Sequence, residues 1–230
     1  MSFETKNIRE NISLKGSTKI VVEFFEFALN SILFQRAIYP PEDFKMVKKY
    51  GLNVLVTIDD SLKSYLKKLL TQVEVWINAG KISKLILAIM NVENREILER
   101  WQFDIQIIDE ENKENKGPGG GKKQRTDQEI KNEIQAIIRQ ITASVTFLPV
   151  LEDECTFNIL AFTDKDAEVP AEWDDSDPLI IQNPEYVRLR SFSTKNHKVD
   201  AIVSLKNAFN KLNKQFITTK NFKLYLYKIF

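Results

Sequence analysis

The stretch that decides the fold is TDKDAEVPAEWDDSDPLIIQNPEYVRLRSFSTKNHKVDAIV, residues 163–203. It is polar and broken by Pro170, Pro178 and Pro184, yet it carries strand-forming pieces at Leu179–Ile181 and Tyr186–Phe192, and a lone Trp173. Mixed polar and apolar residues of this kind leave strand register weakly specified, so such a segment can pair with a sheet in more than one way. The question it poses is whether it is a loose surface or a moving part.

Around it the chain alternates helices and strands. Ser17 reads as the N-cap of a buried helix over Thr18–Arg36, with residues 1–13 a mobile arm, because Ile20 to Leu33 place apolar residues on most of the helix circumference. Tyr39-Pro40-Pro41 stops it, and PEDF restarts a short turn of helix. Leu52–Ile58 reads as a strand. Asp59-Asp60-Ser61 caps a second helix that Gly80 closes. Leu85–Met90 is an apolar strand, and Leu98–Ile108 alternates like a strand with one solvated face. Residues 109–125, charged and glycine-rich, read as a disordered loop. Thr126 and Glu129 fit a capping box opening a third helix with Ile130, Ile134, Ile137, Ile138 and Ile141 on one face. Cys155–Phe162 is the strand that leads into the opening stretch. The pattern predicts one α+β domain with helices packed on a sheet.

Composition narrows the chemistry. The 230 residues are 43% hydrophobic, with 33 basic against 32 acidic side chains. That near-zero balance gives no global field for nucleic acid or membrane. One cysteine permits no internal disulfide, the first residues carry acids and no apolar run, unlike a secretory signal, and no stretch reaches the ~18 apolar residues of a membrane span. These readings predict a soluble intracellular protein.

No catalytic or metal constellation emerges. His197 is the sole histidine, far in sequence from Cys155, which sits among apolar residues and reads as a core thiol. Gly119-Gly120-Gly121-Lys122-Lys123 lacks the upstream glycine and the following Ser/Thr of a phosphate loop. Asp164, Asp166 and Glu168 have the odd spacing of a calcium loop, but Val169 stands where that loop needs glycine and Asp175 where it needs a bidentate glutamate. Asp174-Asp175-Ser176-Asp177 reads as a solvated turn. The expectation is a binding protein without cofactor or metal. An enzyme built on Asp164, Asp166 and Cys155 is the runner-up of another class.

Three stretches then carry a resemblance: GSTKIVVEFFEFALNSILFQRAIYPPEDF (16–44), LERWQFDI (98–105) with RQITASVTFLP (139–149), and VPAEWDDSDP (169–178) with VRLRSFSTKNHKV (187–199). In this order they resemble the HORMA-domain proteins of the spindle assembly checkpoint, from about Leu14 to Val203. The resemblance implies three helices on a mainly antiparallel sheet, no enzymatic activity, and a C-terminal safety belt (163–203) that switches between open and closed arrangements. The closed belt crosses a partner peptide, which would lie beside the strand holding Cys155, Phe157, Ile159 and Ala161. Implied partners are mitotic-arrest-deficient-one at the kinetochore, the cell-division-cycle-twenty activator of the anaphase-promoting complex, a comet adaptor and an AAA+ remodelling ATPase. Nucleus, kinetochore and cytoplasm are the implied locations, and delayed anaphase the outcome. A HORMA adaptor in translesion DNA repair is the alternative within the fold.

Carried over by position, Arg139, Gln140, Phe147 and Arg190 match a self-association surface between an open and a closed copy, although Arg139 alone reads as a solvated helix arginine. Leu14, Trp76, Trp173 and His197 match conformer-sensitive or belt positions, although plain core packing also accounts for the tryptophans. The departure is residues 204–230, rich in Lys, Asn and apolar residues and free of acids. This atypical tail reads either as translated noncoding sequence or as a genuine basic, apolar extension. Leu205, Ala208, Phe209, Leu212 and Phe216 suit an amphipathic helix, Phe222, Leu224 and Leu226 a strand, and the tail puts in doubt the belt strand that should finish beyond Val203.

Overall fold

The computed structural model describes residues 2–108, 126–206 and 222–227, with side chains from Gly16 onward and without that of Phe222. The predicted loop 109–125 and the predicted helix positions 208–216 lie outside the described residues.

Three helices form one layer. α1 spans Ser2–Gln35, α2 Asp60–Asn78 and α3 Asp127–Ala143. α1 lies at the centre of the core: Val21, Phe24, Phe25, Ala28, Leu29, Ile32 and Leu33 are all inaccessible to solvent, as an all-round apolar helix requires. Its start corrects the sequence reading. The helix runs back through Gly16 and Ser17 to Ser2, so there is no break at 16–17 and no N-cap at Ser17. Glu4, Lys6, Arg9 and Glu10 are good helix formers, so local propensity favours the extension. At α2, the Asp59 carboxylate accepts the Leu62 N–H at 2.6 Å. At α3, Thr126 and Glu129 make the reciprocal capping box, with the Thr126 N–H donating to Glu129 at 2.8 Å.

Beneath α1 lies an antiparallel sheet. β3 (Ile82–Asn91) is flanked by β4 (Ile97–Ile107) on one side and β5 (Cys155–Asp164) on the other. Outward from β4 come β9 (His197–Lys206) and then β7 (Pro184–Arg188), with the short β8 (Phe192–Ser193) also on β9. Outward from β5 come β10 (Phe222–Tyr227) and then β6 (Trp173–Asp175). A separate hairpin of β1 (Phe44–Lys49) and β2 (Leu52–Thr57) packs beside α1. Composition had suggested only β2. The hairpin turn puts Tyr50 and Gly51 at φ 51° and 70°, the pair of left-handed residues that a type I′ turn needs.

One face of the sheet meets the helices through an aromatic cluster. Phe24 packs on Phe192 and Phe103 with ring centroids 4.8 and 5.8 Å apart. The other face buries a smaller cluster, Ile86, Ala88, Leu160 and Phe162, under Ile97, Leu179, Leu224 and Leu226. A buried ion pair ties the layers together. Arg36 Nε donates to Glu99 at 3.1 Å, Arg36 Nη2 to the Pro149 carbonyl at 2.5 Å, and Trp101 Nε1 to Glu99 at 3.1 Å. Burial pushes the Glu99 carboxyl up while Arg36 pulls it back down.

The opening stretch departs from two expectations. Leu179–Ile181 is not a strand: Leu179 has φ 45°, and its side chain with that of Ile181 anchors a crossing between Pro178 and Pro184. Tyr186–Phe192 is not one strand but β7 and β8, because Arg190 turns its N–H away from the sheet to the Gln140 carboxamide oxygen, at 2.6 Å. β9, conversely, is longer than the doubt about it implied. Ser204, Leu205 and Lys206 continue the ladder opposite Arg100, Glu99 and β7, so Leu205 is a strand residue and not the start of a helix.

Candidate functional site

The site is built by the way residues 165–183 wrap the β5 side of the sheet before the chain crosses to β7 and β9 on the β4 side. After β5, residues 165–172 pass over the helix-facing side, where Trp76 Nε1 donates to the Glu168 carbonyl at 2.9 Å and Ala167 and Val169 join the core. β6 then pairs with β10, not with β5, so β10 sits between two strands that are close neighbours in sequence. Residues 176–183 leave β6 on the opposite face, where Leu179 joins the Ile86 and Leu160 cluster, and reach β7 beyond β4 and β9. The strand beside β5 is therefore ringed: β5 and β6 hold its edges, and the two crossings cover its faces.

The ring is lined for an extended segment. Along β5, Phe157, Ile159 and Ala161 face the helices and Leu160 and Phe162 the far side, as period-two alternation dictates. The helix-side wall is aromatic. Trp173 stands 4.8 Å from Trp76 and 5.0 Å from Tyr227, and Tyr65 stands 5.2 Å from Tyr227 and 5.9 Å from Phe157. Burial pushes the Tyr65 phenol far up, and its buried hydroxyl has no hydrogen-bond partner among the described residues. Backbone pairing to β10 uses Leu160, Ala161, Phe162, Thr163 and Asp164. Of the residues expected on the peptide-binding strand, Ala161 is in that ladder. Phe157 and Ile159 supply the wall, and half-buried Cys155 opens the strand against Asn91.

The C-terminal end of the 163–203 stretch is pinned by His197. Its ring is fully buried, Nδ1 lies 2.6 Å from the Ser17 hydroxyl, and its N–H donates to Thr194 Oγ1 at 2.9 Å. Thr194 spends its own proton on the His197 carbonyl at 3.1 Å. The Ser17 hydroxyl then donates to Thr194, with which it is in contact, and His197 Nδ1–H donates to Ser17. This leaves Nε2 a buried acceptor with no hydrogen-bond partner among the described residues. Burial lowers the His197 pKa. Sequence reading had placed His197 in the belt but had assigned Ser17, its partner 180 residues away, to a helix cap.

Arg139 is exposed on α3, and Arg190 is exposed beside it through the Gln140 bond. Phe147 is half-exposed just beyond the helix, with Val145 and Val150 also at the surface. Of the four residues expected in self-association, Gln140 and Arg190 are joined directly, and Arg139 and Phe147 are surface residues of the same α3-to-Pro149 stretch. Trp76 and Trp173 meet across the ring, while the Leu14 side chain lies outside the described residues.

The enzyme reading loses its geometry. Cys155 and Asp164 open and close one ten-residue strand, about 30 Å apart, and His197 lies level with the Asp164 end. Lys81 engages Asp166 at 2.7 Å and Asp164 at 3.6 Å, and burial pushes the Cys155 thiol up, away from thiolate.

Residues 17–197 match the HORMA domain family. The chain is 54% identical over 198 residues to the mitotic spindle checkpoint component mad2 of Schizosaccharomyces pombe, a match covering 86% of this chain and 95% of that one. The chain belongs to the HORMA-domain family of Mad2 spindle-checkpoint proteins. Among solved structures, a chain in the crystal structure of the mitotic checkpoint complex is similar, with 51% identity and a TM-score of 0.74 over 84% of this chain and 99% of that one. The Caenorhabditis elegans protein HTP-2, solved bound to a HIM-3 closure motif, shares the fold alone. It is 14% identical, with a TM-score of 0.65 over 83% of this chain and 90% of that one.

Proposed function

We propose that this chain is a spindle-checkpoint adaptor that grips an extended partner peptide beneath its belt and thereby delays anaphase. The observation that carries this reading is the ringed strand position on β5, bounded by β6 and covered on both faces. A peptide taken in there gains main-chain hydrogen bonds from β5, with selectivity from side chains on alternate faces. Because the ring must open to release it, dissociation is coupled to local unfolding of residues 165–183, and the complex is long-lived without a large interface. The family supports an adaptor without catalysis, and its full-length relatives support the checkpoint over DNA repair.

The partners consistent with this family are mitotic-arrest-deficient-one as kinetochore receptor and the cell-division-cycle-twenty activator of the anaphase-promoting complex. A comet adaptor and an AAA+ ATPase would reopen the belt, in a protein working at kinetochores, in the nucleus and in the cytoplasm. β9 on β4 is the closed arrangement; the open one would move the belt to the β5 edge, two packings within a few kcal/mol of each other. Self-association would use Arg139, Gln140, Phe147 and Arg190. The test is binding of synthetic peptides from the two partners to the purified chain and to Arg139→Glu. Peptide capture by both, with conformer-dependent dimers only in the parent, is expected. No capture by either refutes the assignment of these two partners, and an unchanged dimer refutes the Arg139 assignment.

A further inference from the structure

The strand inside the ring is this chain's own tail. We infer that residues 222–227 are a built-in ligand that occupies the peptide position in cis, holds the belt closed without a partner, and competes with peptides arriving in trans. The inference rests on the reading of the β5 edge as the peptide site.

Four observations carry it. β10 pairs on both edges, with β5 from Phe222 opposite Asp164 to Leu226 opposite Leu160, and with β6 from Tyr225 opposite Asp175 to Tyr227 opposite Trp173. Ser176 of the crossing donates its N–H to the Leu224 carbonyl at 3.2 Å. The side chains divide by face: Tyr225 and Tyr227 are buried in the main core, and Leu224 and Leu226 pack on the far-side cluster. The chain also reaches. β9 ends level with the Phe157 end of β5, whereas β10 enters at Asp164. That separation is about 30 Å, from roughly seven residues along and four strands across. Residues 207–221 are fifteen in number, enough for about 50 Å of extended chain.

The seated tail also states what the site accepts. The preferred segment has two aromatic residues at alternate positions for the Tyr65 and Trp173 wall, and aliphatic residues between them for the Ile86, Leu160 and Phe162 face. Lys223 is exposed, so a basic residue ahead of this run is tolerated. A ligand tethered at about millimolar effective concentration lowers the apparent affinity of a free copy by about tenfold or more.

The test uses the full chain, its L224D/L226D variant, and a labelled synthetic peptide of residues 221–230 as probe. The variant is expected to bind the probe at least about tenfold more tightly than the parent, because its own tail no longer fills the ring. Backbone amides of residues 223–227 in the parent, without any peptide, are expected to exchange slowly. That measurement needs no variant and stands even if L224D/L226D fails to fold. Equal probe binding by both chains, or tail amides exchanging at the rate of the free probe, overturns the inference. So does a parent dimer by light scattering that L224D/L226D converts to monomer, since the tail would then sit in a second copy. If the variant binds the probe but neither chain binds a mitotic-arrest-deficient-one peptide, tail occupancy stands and only the partner assignment falls.

Discussion

His197 is the sole histidine of the chain, so acidification from pH 8 to 5 compared with a non-titrating variant isolates its contribution. Its ring is buried, its Nδ1–H is committed to Ser17, and among the described residues Nε2 has no partner to receive a proton's hydrogen bond. The folded pKa is therefore below the unfolded value of about 6.5. As pH falls, the unfolded chain takes up the proton first, so the stability that neutral His197 contributes is complete above that pH and lost below it. If the folded ring stays neutral throughout, the loss is RT ln(1 + 10^(6.5 − pH)), about 0.4 kcal/mol at pH 6.5 and about 2 kcal/mol at pH 5. Glu26 and Glu99, both raised by burial, gain stability over part of the same range and oppose the trend. The comparison must therefore be with His197→Asn, whose amide keeps a donor toward Ser17 but does not titrate. Urea unfolding of both proteins from pH 5 to 8 should give curves that diverge toward acid, by up to about 2 kcal/mol at pH 5, with exchange of the β9 amides accelerating in the parent only. Parallel curves would refute the reasoning, since they would mean that His197 is protonated without cost.

Arg36→Ala should destabilise by about 3–5 kcal/mol by leaving Glu99 charged and buried, while Arg36→Met with Glu99→Leu should recover most of that loss in urea unfolding. Trp173→Ala should cost about 3–5 kcal/mol by removing the contacts to Trp76 and Tyr227. Faster amide exchange at 223–227 than at α3 would localise the loss to the ring. Gly80→Ala should cost about 1–2 kcal/mol, because φ is 66° and the new Cβ would stand 3.0 Å from Ile107 Cδ1; thermal unfolding measures it.

Much of this architecture was legible because local signals agreed with tertiary ones. Thr126 and Glu129, Asp59, and the isoleucine stripe of α3 each specify an element without knowledge of its neighbours, and all five stripe residues are buried. What was illegible depended on distant partners. Ser17 looked like a cap because serine before an apolar run usually is one, and only the folded chain brings it to His197. Glu99 in an alternating strand looks like an ordinary polar position, and Arg36 like a helix end; neither announces a buried pair. FKMVKK, the β1 strand, is too basic to stand out, because only Phe44 among its residues is buried. Leu179–Ile181 misled in the opposite sense, since apolar residues that anchor a crossing look like apolar residues of a strand.

The two edges of the β5–β3–β4 core explain why weak register is resolved here. An unpaired edge strand exposes a row of N–H and C=O groups that proteins cover or pair. β4 is covered by β9, whose ladder extends without interruption from Ile107 to Glu99, and this commits residues 197–206 and, behind them, β7. The belt is then unavailable to β5, whose edge at Leu160–Asp164 must be closed by something else. A chain ending near Val203 would have only a partner peptide or the relocated belt for that task, so partner binding and belt position would be tightly linked. Here Phe222–Tyr227 closes the same edge and adds two buried tyrosines. The closed arrangement is then favoured by the chain's own sequence, and a partner has to displace a tethered strand. On the inference that the tail seats in cis, it is the segment that would set the balance between the two proposed states of the belt.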